Sequence, residues 1–432
     1  MMSRDFLRRI VVPVCLLGVA MTPSAAVEEG VVLVREAAAS GESTAVLEAR
    51  VDPTVYDEML TRSRVRLNGF PLPGRSPVDL ELAPYNVLTA GARIVVVDAA
   101  GERNVPRPAV RVLRGQVIGD PGGVAILSLF EGRVAGFVRT GEQEYMIAPD
   151  SFGADGLAPD EIRVRAREAD PDEPDRPFCG GAVAIETGEE PPGPGVGRAT
   201  ALDPDTMLTA GVAIDATYEW YSHFGSLEQA QAYILNLMAQ VSTIYEDEVF
   251  VQIEVPYLRV FTVAEDPYTD GTTDTSKLLS ELRAEWNANQ SGVDRTVAHL
   301  FSTRPSGGAG IAYINVLCNP SYDYGVSTLS ANGGSWEKKL VAHELGHNFS
   351  SPHTHCFVPE IDQCANQDGC YNGTVVQTTG TIMSYCSQTT SLFHPRVEDE
   401  RIRPAAEAAY PACIATAVPT EPPTTPGSLT LY

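Results

Sequence analysis

Residues 343–353 read HELGHNFSSPH, and no other stretch of the chain restricts its chemistry so far. On a helix, residues four apart lie one above the other on the same face, so His343 and His347 can turn two imidazoles toward one point. Glu344, offset by one position, reaches a water at that point without being a ligand itself. Pro352 disfavours a helical Ser351. The helix therefore ends soon after His347, and the chain can turn and bring back His353. Three neutral imidazoles with a fourth position open make a catalytic zinc site rather than a closed structural one. The metal brings the pKa of water toward neutrality. Glu344 can then take its proton during attack on a carbonyl and later protonate the leaving amine. A lone HExxH turns up by chance in about one chain in a hundred of this length, so the proline and the third histidine carry much of the weight.

Composition narrows the setting. With a formal net charge of -25, the chain lacks the basic surface that nucleic acids or anionic membranes require. Arg4, Arg8 and Arg9, the apolar run Ile10–Met21 and the small residues Ser24, Ala25 and Ala26 read as a secretory signal over 1–26. The run is too short for a comfortable membrane span. The expected product is secreted.

Across 432 residues, 44% of them hydrophobic, two domains plus accessory segments are expected. Residues 27–160 form a β-rich unit, with short apolar runs such as Ile94–Val97, Val124–Leu129 and Val134–Val138 split by Gly101, Gly119 and Gly132. Residues 161–206 are acidic and rich in proline and glycine and read as an exposed linker, open to processing near Arg198. From 207 to 416 strands alternate with helices. Leu227, Ala230, Ile234, Leu237, Val241 and Ile244 mark a long amphipathic helix, Leu278 to Trp286 a second, and a third starts near Ser335. That alternation implies an α/β layer with a mainly parallel sheet. Residues 417–432 form a Pro/Thr-rich tail.

The run from His343 to His353 resembles the metzincin consensus H-E-x-x-H-x-x-G-x-x-H, with Met383 in "GTIMSY" as the methionine of a tight turn beneath the metal. Within metzincins, "HELGHNF", Cys356 just past the third histidine and the Cys-rich segment up to Met383 are most similar to the adamalysin/reprolysin group, especially its bacterial-type relatives. The resemblance covers about 207–416, and a weaker likeness to reprolysin-type propeptides runs through Val112–Pro149. It implies a metzincin catalytic domain: a twisted, mostly parallel sheet, an active-site helix and a Cys-rich C-terminal subdomain, preceded by a β-rich propeptide. One Zn2+ ion is implied and calcium is not indicated. Polypeptide substrates, no nucleic acid, no membrane and a monomer are expected. "GGAGIAYI" (Gly307–Ile314) would be the edge strand to which a substrate adds. Where the consensus has glycine, this chain has Ser350, in a backbone conformation that costs other residues about 1–2 kcal/mol.

Removing the signal leaves seven of the eight cysteines. Cys318, Cys356, Cys364, Cys370, Cys386 and Cys413 would form three disulfides. The resemblance pairs Cys318 with Cys413 and uses the other four to staple the Met-turn loop. Cys179, in "RPFCGG", is the odd one. It is either a latency thiolate occupying the fourth zinc position or a disulfide partner of a downstream cysteine. Tyr385 stands where a tyrosine in astacin-like metzincins approaches zinc or an oxyanion; the alternative is an ordinary half-buried tyrosine. His355 is expected on the surface, and His223, His299 and His394 outside any metal site. The sequence thus implies a zinc endopeptidase made as a zymogen. Its rivals are a zinc hydrolase of another amide, such as cell-wall peptide, and a degenerate metzincin-fold binding module.

Overall fold

A computed structural model describes residues 33–39, 45–148, 160–167, 179–183, 202–203, 205–269, 274–303, 310–331 and 333–417. The expected signal at 1–26, most of the linker, Arg198 and all but the first residue of the tail lie outside them.

The first described half is built from strands. In chain order they are β1 (Val34–Ala39), β2 (Val46–Val51), β3 (Val65–Phe70), β4 (Val78–Tyr85), β5 (Leu88–Asp98), β6 (Gly101–Val105), β7 (Arg111–Val117), β8 (Val124–Phe130), β9 (Arg133–Thr140), β10 (Gln143–Ala148) and β11 (Glu161–Ala166). A short helix, α1 (Pro53–Met59), follows β2; Asp52 caps it by accepting from the Thr54 N–H at 2.8 Å. All but β5 and β6 make one antiparallel sheet of order β1-β2-β11-β10-β9-β8-β7-β4-β3. Strand β11 falls inside the stretch expected to be linker. Its EIRVRA pattern buries Ile162, Val164 and Ala166, a period-2 signal too short to stand out beside acidic, proline-rich sequence. Strand β8 is buried along its whole length because both of its faces are covered. Ala125, Leu127 and Leu129 enter the sheet's own core, and Val124 and Ile126 pack on a helix of the second half.

The second half comprises β12 (Cys179–Val183), β13 (Leu208–Ala216), α2 (Tyr218–Tyr221), α3 (Leu227–Val249), β14 (Val251–Phe261), α4 (Thr275–Asn289), β15 (Val297–Ser302), β16 (Gly310–Tyr313), β17 (Tyr324–Thr328) and α5 (Ser335–Asn348). Beyond these lie β18 (Thr379–Gly380), β19 (Gln388–Thr389), α6 (Pro395–Val397), a wider helical turn at Glu398–Ile402, α7 (Arg403–Ala409) and β20 (Ile414–Thr416). The larger sheet has the order β12-β16-β17-β15-β13-β14-β5-β6, with β20 against β13. Strands β14, β13, β15 and β17 run parallel, and β16 turns antiparallel at one margin. The hairpin β5–β6 belongs by sequence to the β-rich first half. In space it joins this sheet, with β5 parallel to β14 (Ile94 opposite Leu258, Val96 opposite Val260).

Helix α3 carries the periodic apolar residues read from sequence, yet it is buried continuously from Ala230 to Tyr245. One side faces α5, where the Tyr245 hydroxyl donates to Ala342 O at 2.9 Å. The polar side meets the antiparallel sheet, where Ser128 donates to Asn236 Oδ1 at 2.8 Å and Tyr85 to Ser242 at 2.6 Å. Three disulfides join Cys318 to Cys413, Cys356 to Cys370 and Cys364 to Cys386, and Cys179 is buried and outside these disulfides. No helix among the described residues is long and apolar enough to cross a membrane.

Candidate metal centre

Helix α5 is buried on all sides and has no side-chain N-cap; packing, not local propensity, holds it. Its C-terminal end is tied to the sheet margin. Asn348 Nδ2 donates to Tyr313 O and Tyr324 O at 2.9 and 3.0 Å, and the Asn315 N–H to His347 O at 3.0 Å. After Phe349, Ser350 takes φ +78°, the left-handed conformation for which the consensus has glycine. The chain then reverses through Pro352 and sets His353 against the helix.

Each imidazole is oriented through Nδ1. That of His343 lies 2.5 Å from Ile382 O, that of His347 2.7 Å from Ser351 O, and that of His353 2.9 Å from Asp368 Oδ2. Carbonyls and carboxylates only accept, so all three Nδ1 atoms carry the proton and each Nε2 is left as a lone pair. His347 Nε2 and His353 Nε2 stand 3.2 Å apart, lone pair toward lone pair. That arrangement is repulsive without a cation. Tetrahedral zinc with bonds of about 2.0–2.1 Å holds its nitrogens about 3.3 Å apart. Burial, with the neighbouring imidazoles His347 and His353, pushes His343 well below the usual range. Burial takes His347 down to about 4, and burial with His347 and His355 lowers His353 well below its ordinary value. The rings are therefore neutral, as ligands must be. The donor set fits zinc.

Cys179 completes the cluster. Its Sγ lies 3.5 Å from His347 Nε2, and the ligand atoms of Cys179, His343, His347 and His353 all lie within 4.8 Å of one another. Strand β12, which begins at Cys179, pairs parallel to the edge strand β16, with Cys179 opposite Gly310. Glu344 is fully buried; burial raises its carboxyl well above the usual range, against a hydrogen bond to Cys179. A Cβ at Gly310 would come within 2.2 Å of Glu344 Oε1, so only glycine leaves room there for the carboxylate. Met383 lies against Gly346, where a Cβ would meet its Sδ at 2.6 Å. The Met383 carbonyl accepts from the Thr354 N–H at 3.0 Å. The Tyr385 ring packs on His353 with centroids 4.0 Å apart, and its hydroxyl donates to Cys179 O at 3.4 Å.

All seven residues singled out from the sequence thus meet in one place. His355 does not follow expectation: it is buried, not on the surface, because the three-residue helical turn Thr354–Cys356 directs it inward beside His353, with Nε2 3.3 Å from Asp368. Asp368 was not legible as a site residue, because it acts across a loop and no spacing rule marks it. Gly310 was legible only as part of the expected edge strand, not as the residue whose missing side chain leaves room for Glu344.

A buried histidine triad beside a helix-borne glutamate, at a sheet margin covered by β12, is the arrangement of a metallopeptidase. Residues 208–394 match the model of Reprolysin_5, metallo-peptidase family M12, and this region is similar to reprolysin-like metallopeptidases. The chain is 27% identical over 167 residues to disintegrin and metalloproteinase domain-containing protein B of Aspergillus fumigatus, covering 35% of this chain and 21% of that one. It is 28% identical over 308 residues to the human protein called a disintegrin and metalloproteinase with thrombospondin motifs 2, covering 62% and 24%. It therefore spans a fifth to a quarter of these relatives. Among solved structures, metalloproteinase-II of Bacteroides fragilis aligns with a TM-score of 0.42 at 13% identity, over 82% of this chain and 95% of that one.

Proposed function

We propose that this chain is the precursor of a secreted zinc endopeptidase, with His343, His347 and His353 as ligands, Glu344 as general base and Cys179 as the latency residue. The β-rich first half is its propeptide. One observation carries the reading: three Nδ1-protonated imidazoles turn their Nε2 lone pairs to a shared point beside Glu344. Zinc held there supplies a Lewis acid that polarises the scissile carbonyl and brings the pKa of water toward neutrality. Glu344 takes the proton of the attacking water and passes it to the leaving amine. Burial pushes the Tyr385 phenol far up as well, so it stays a donor. Once Cys179 has left, its hydroxyl is available to the oxygen on which charge develops. Strand β12 uses the backbone groups of β16 that an extended substrate needs, so it blocks binding as well as chemistry. Met383 is a packed floor.

The test is to cut the purified chain in its linker and free it of the N-terminal fragment. It should then digest casein and be stopped by a zinc chelator. Glu344→Gln should keep its zinc and lose about 10²–10⁴-fold in turnover. Undiminished activity in that variant removes the base assignment, and intact casein with the zinc-loaded freed domain removes the endopeptidase reading.

A further inference from the structure

His353 draws its support from a part of the chain outside the histidine motif. His343 and His347 share a helix face and hydrogen-bond to backbone carbonyls, whereas His353 lies beyond the helix and donates to a side chain, Asp368 Oδ2 at 2.9 Å. The same oxygen is 3.3 Å from His355 Nε2, and the His355 ring is parallel to that of His353, tilted by 6° with centroids 5.5 Å apart. Asp368 adopts φ +63° on an exposed stretch, 366–370. What closes that stretch onto the site is the disulfide from Cys370 to Cys356, three residues past His353.

We propose that Asp368 is the positioning residue of the third metal ligand, and that the Cys356–Cys370 disulfide holds it in register. The inference rests on the three histidines being the zinc ligands. A carboxylate on Nδ1 fixes the tautomer and ring angle, keeps the Nε2 lone pair on the metal and makes the imidazole a stronger base; losing such a partner weakens metal binding by about 10–100-fold. His353 needs it more than its fellows do. Its approach runs through Ser350 in the left-handed region and Pro352, with no helix to set the ring. Oxidation at 356–370 thereby becomes a condition for holding zinc tightly.

The experiment measures zinc affinity of the full chain by competition with a chromogenic chelator, beside the unfolding midpoint of the zinc-free chain. Asp368→Gly removes the acceptor and suits the positive φ; Asp368→Asn keeps an acceptor oxygen. Asp368→Gly should bind zinc about 10–100-fold more weakly with the zinc-free midpoint unchanged. Asp368→Asn should recover most of the loss, and the Cys356→Ser/Cys370→Ser pair should resemble the glycine variant. Unaltered affinity in Asp368→Gly, while wild type holds one zinc and His347→Ala loses it, overturns the positioning role and leaves the metal centre standing. A lowered zinc-free midpoint without rescue by asparagine also overturns it, as a purely structural role. Full affinity in the cysteine pair removes the disulfide's part. Wild type without zinc removes the centre, and this inference with it.

Discussion

At the scale of single residues, the site depends on atoms that are missing as much as on those present. Gly346 sits inside the motif between two ligand-bearing turns, and its lack of a side chain lets Met383 rise to the helix backbone. Gly346→Ala puts a methyl within 2.6 Å of the Met383 sulfur. Forced repacking of this kind costs about 1–3 kcal/mol, so a urea titration should show that loss. Met383→Leu, which conserves volume, should cost less than about 1.5 kcal/mol. Equal stability of Gly346→Ala and wild type would mean that Met383 has room to retreat and is no floor. Ser350 shows the opposite solution. There the left-handed turn is kept with a side chain present, and the strain is borne by bonds that fix Ser350 and the residue after it: the Ser350 N–H donates to His347 O and the Ser351 N–H to Gly346 O, each at 2.9 Å.

At the scale of elements, the end of α3 meets the helical segment 395–409 through two carboxyls. Glu248 and Glu398 hydrogen-bond to each other, near Arg139, Asp247 and Asp399; burial, then the charge of Glu248, raises Glu398 to about 8, and burial raises Glu248. A folded-state pKa above the unfolded 4.5 means that the folded chain holds the extra proton. This stabilisation is fully present below about pH 4.5 and is lost as pH rises toward about 8. Glu398→Gln should therefore flatten the decline in urea midpoint across that window; an unchanged slope would show that the pair does not govern it. Helices α3 and α4 were legible in the sequence because each repeats apolar residues with a helical period, whereas α5, buried on all sides, was legible through the histidines it carries. Strand β5 was legible through Ile94–Val97, but β6, exposed along most of its length, was not, nor was the place of the pair in the larger sheet, since a strand's own residues do not name its neighbour. Strand β12 was not legible at all: CGGAV has no alternation, and only its margin partner β16 makes it a strand. Likewise His343, Glu344, His347 and His353 could be read from spacing, whereas Asp368 and the burial of His355 depend on how a disulfide-closed loop folds back.

At the scale of the whole molecule, the two sheets are joined more firmly than a linker implies. Val87, Ile94, Phe130 and Ala135 of the first half lie in the same core as the helices and strands of the second. Lys338 of α5 and Glu144 of β10 form a buried pair at 2.7 Å. Burial takes the lysine down to about 8. Burial also pushes the Glu144 carboxyl up, but the ammonium outweighs it and leaves the carboxyl below its usual value. Arg114 and Arg139 both reach Asp247, at 2.6 and 2.9 Å. A cut between residues 183 and 205 should accordingly leave two fragments that elute together in size exclusion, with little activity until the N-terminal one is stripped or digested. Separate elution without denaturant would show the contacts to be weak. The placing of β12 and β5–β6 has one more result. Both rims of the larger slab are closed by polypeptide that precedes residue 207, so a gene trimmed to start there would encode a body whose two flanks bear rows of bare amides, adhesive to any extended chain they meet. The ribosome releases the closing pieces before the slab they close, so the vulnerable half emerges with its cover already made.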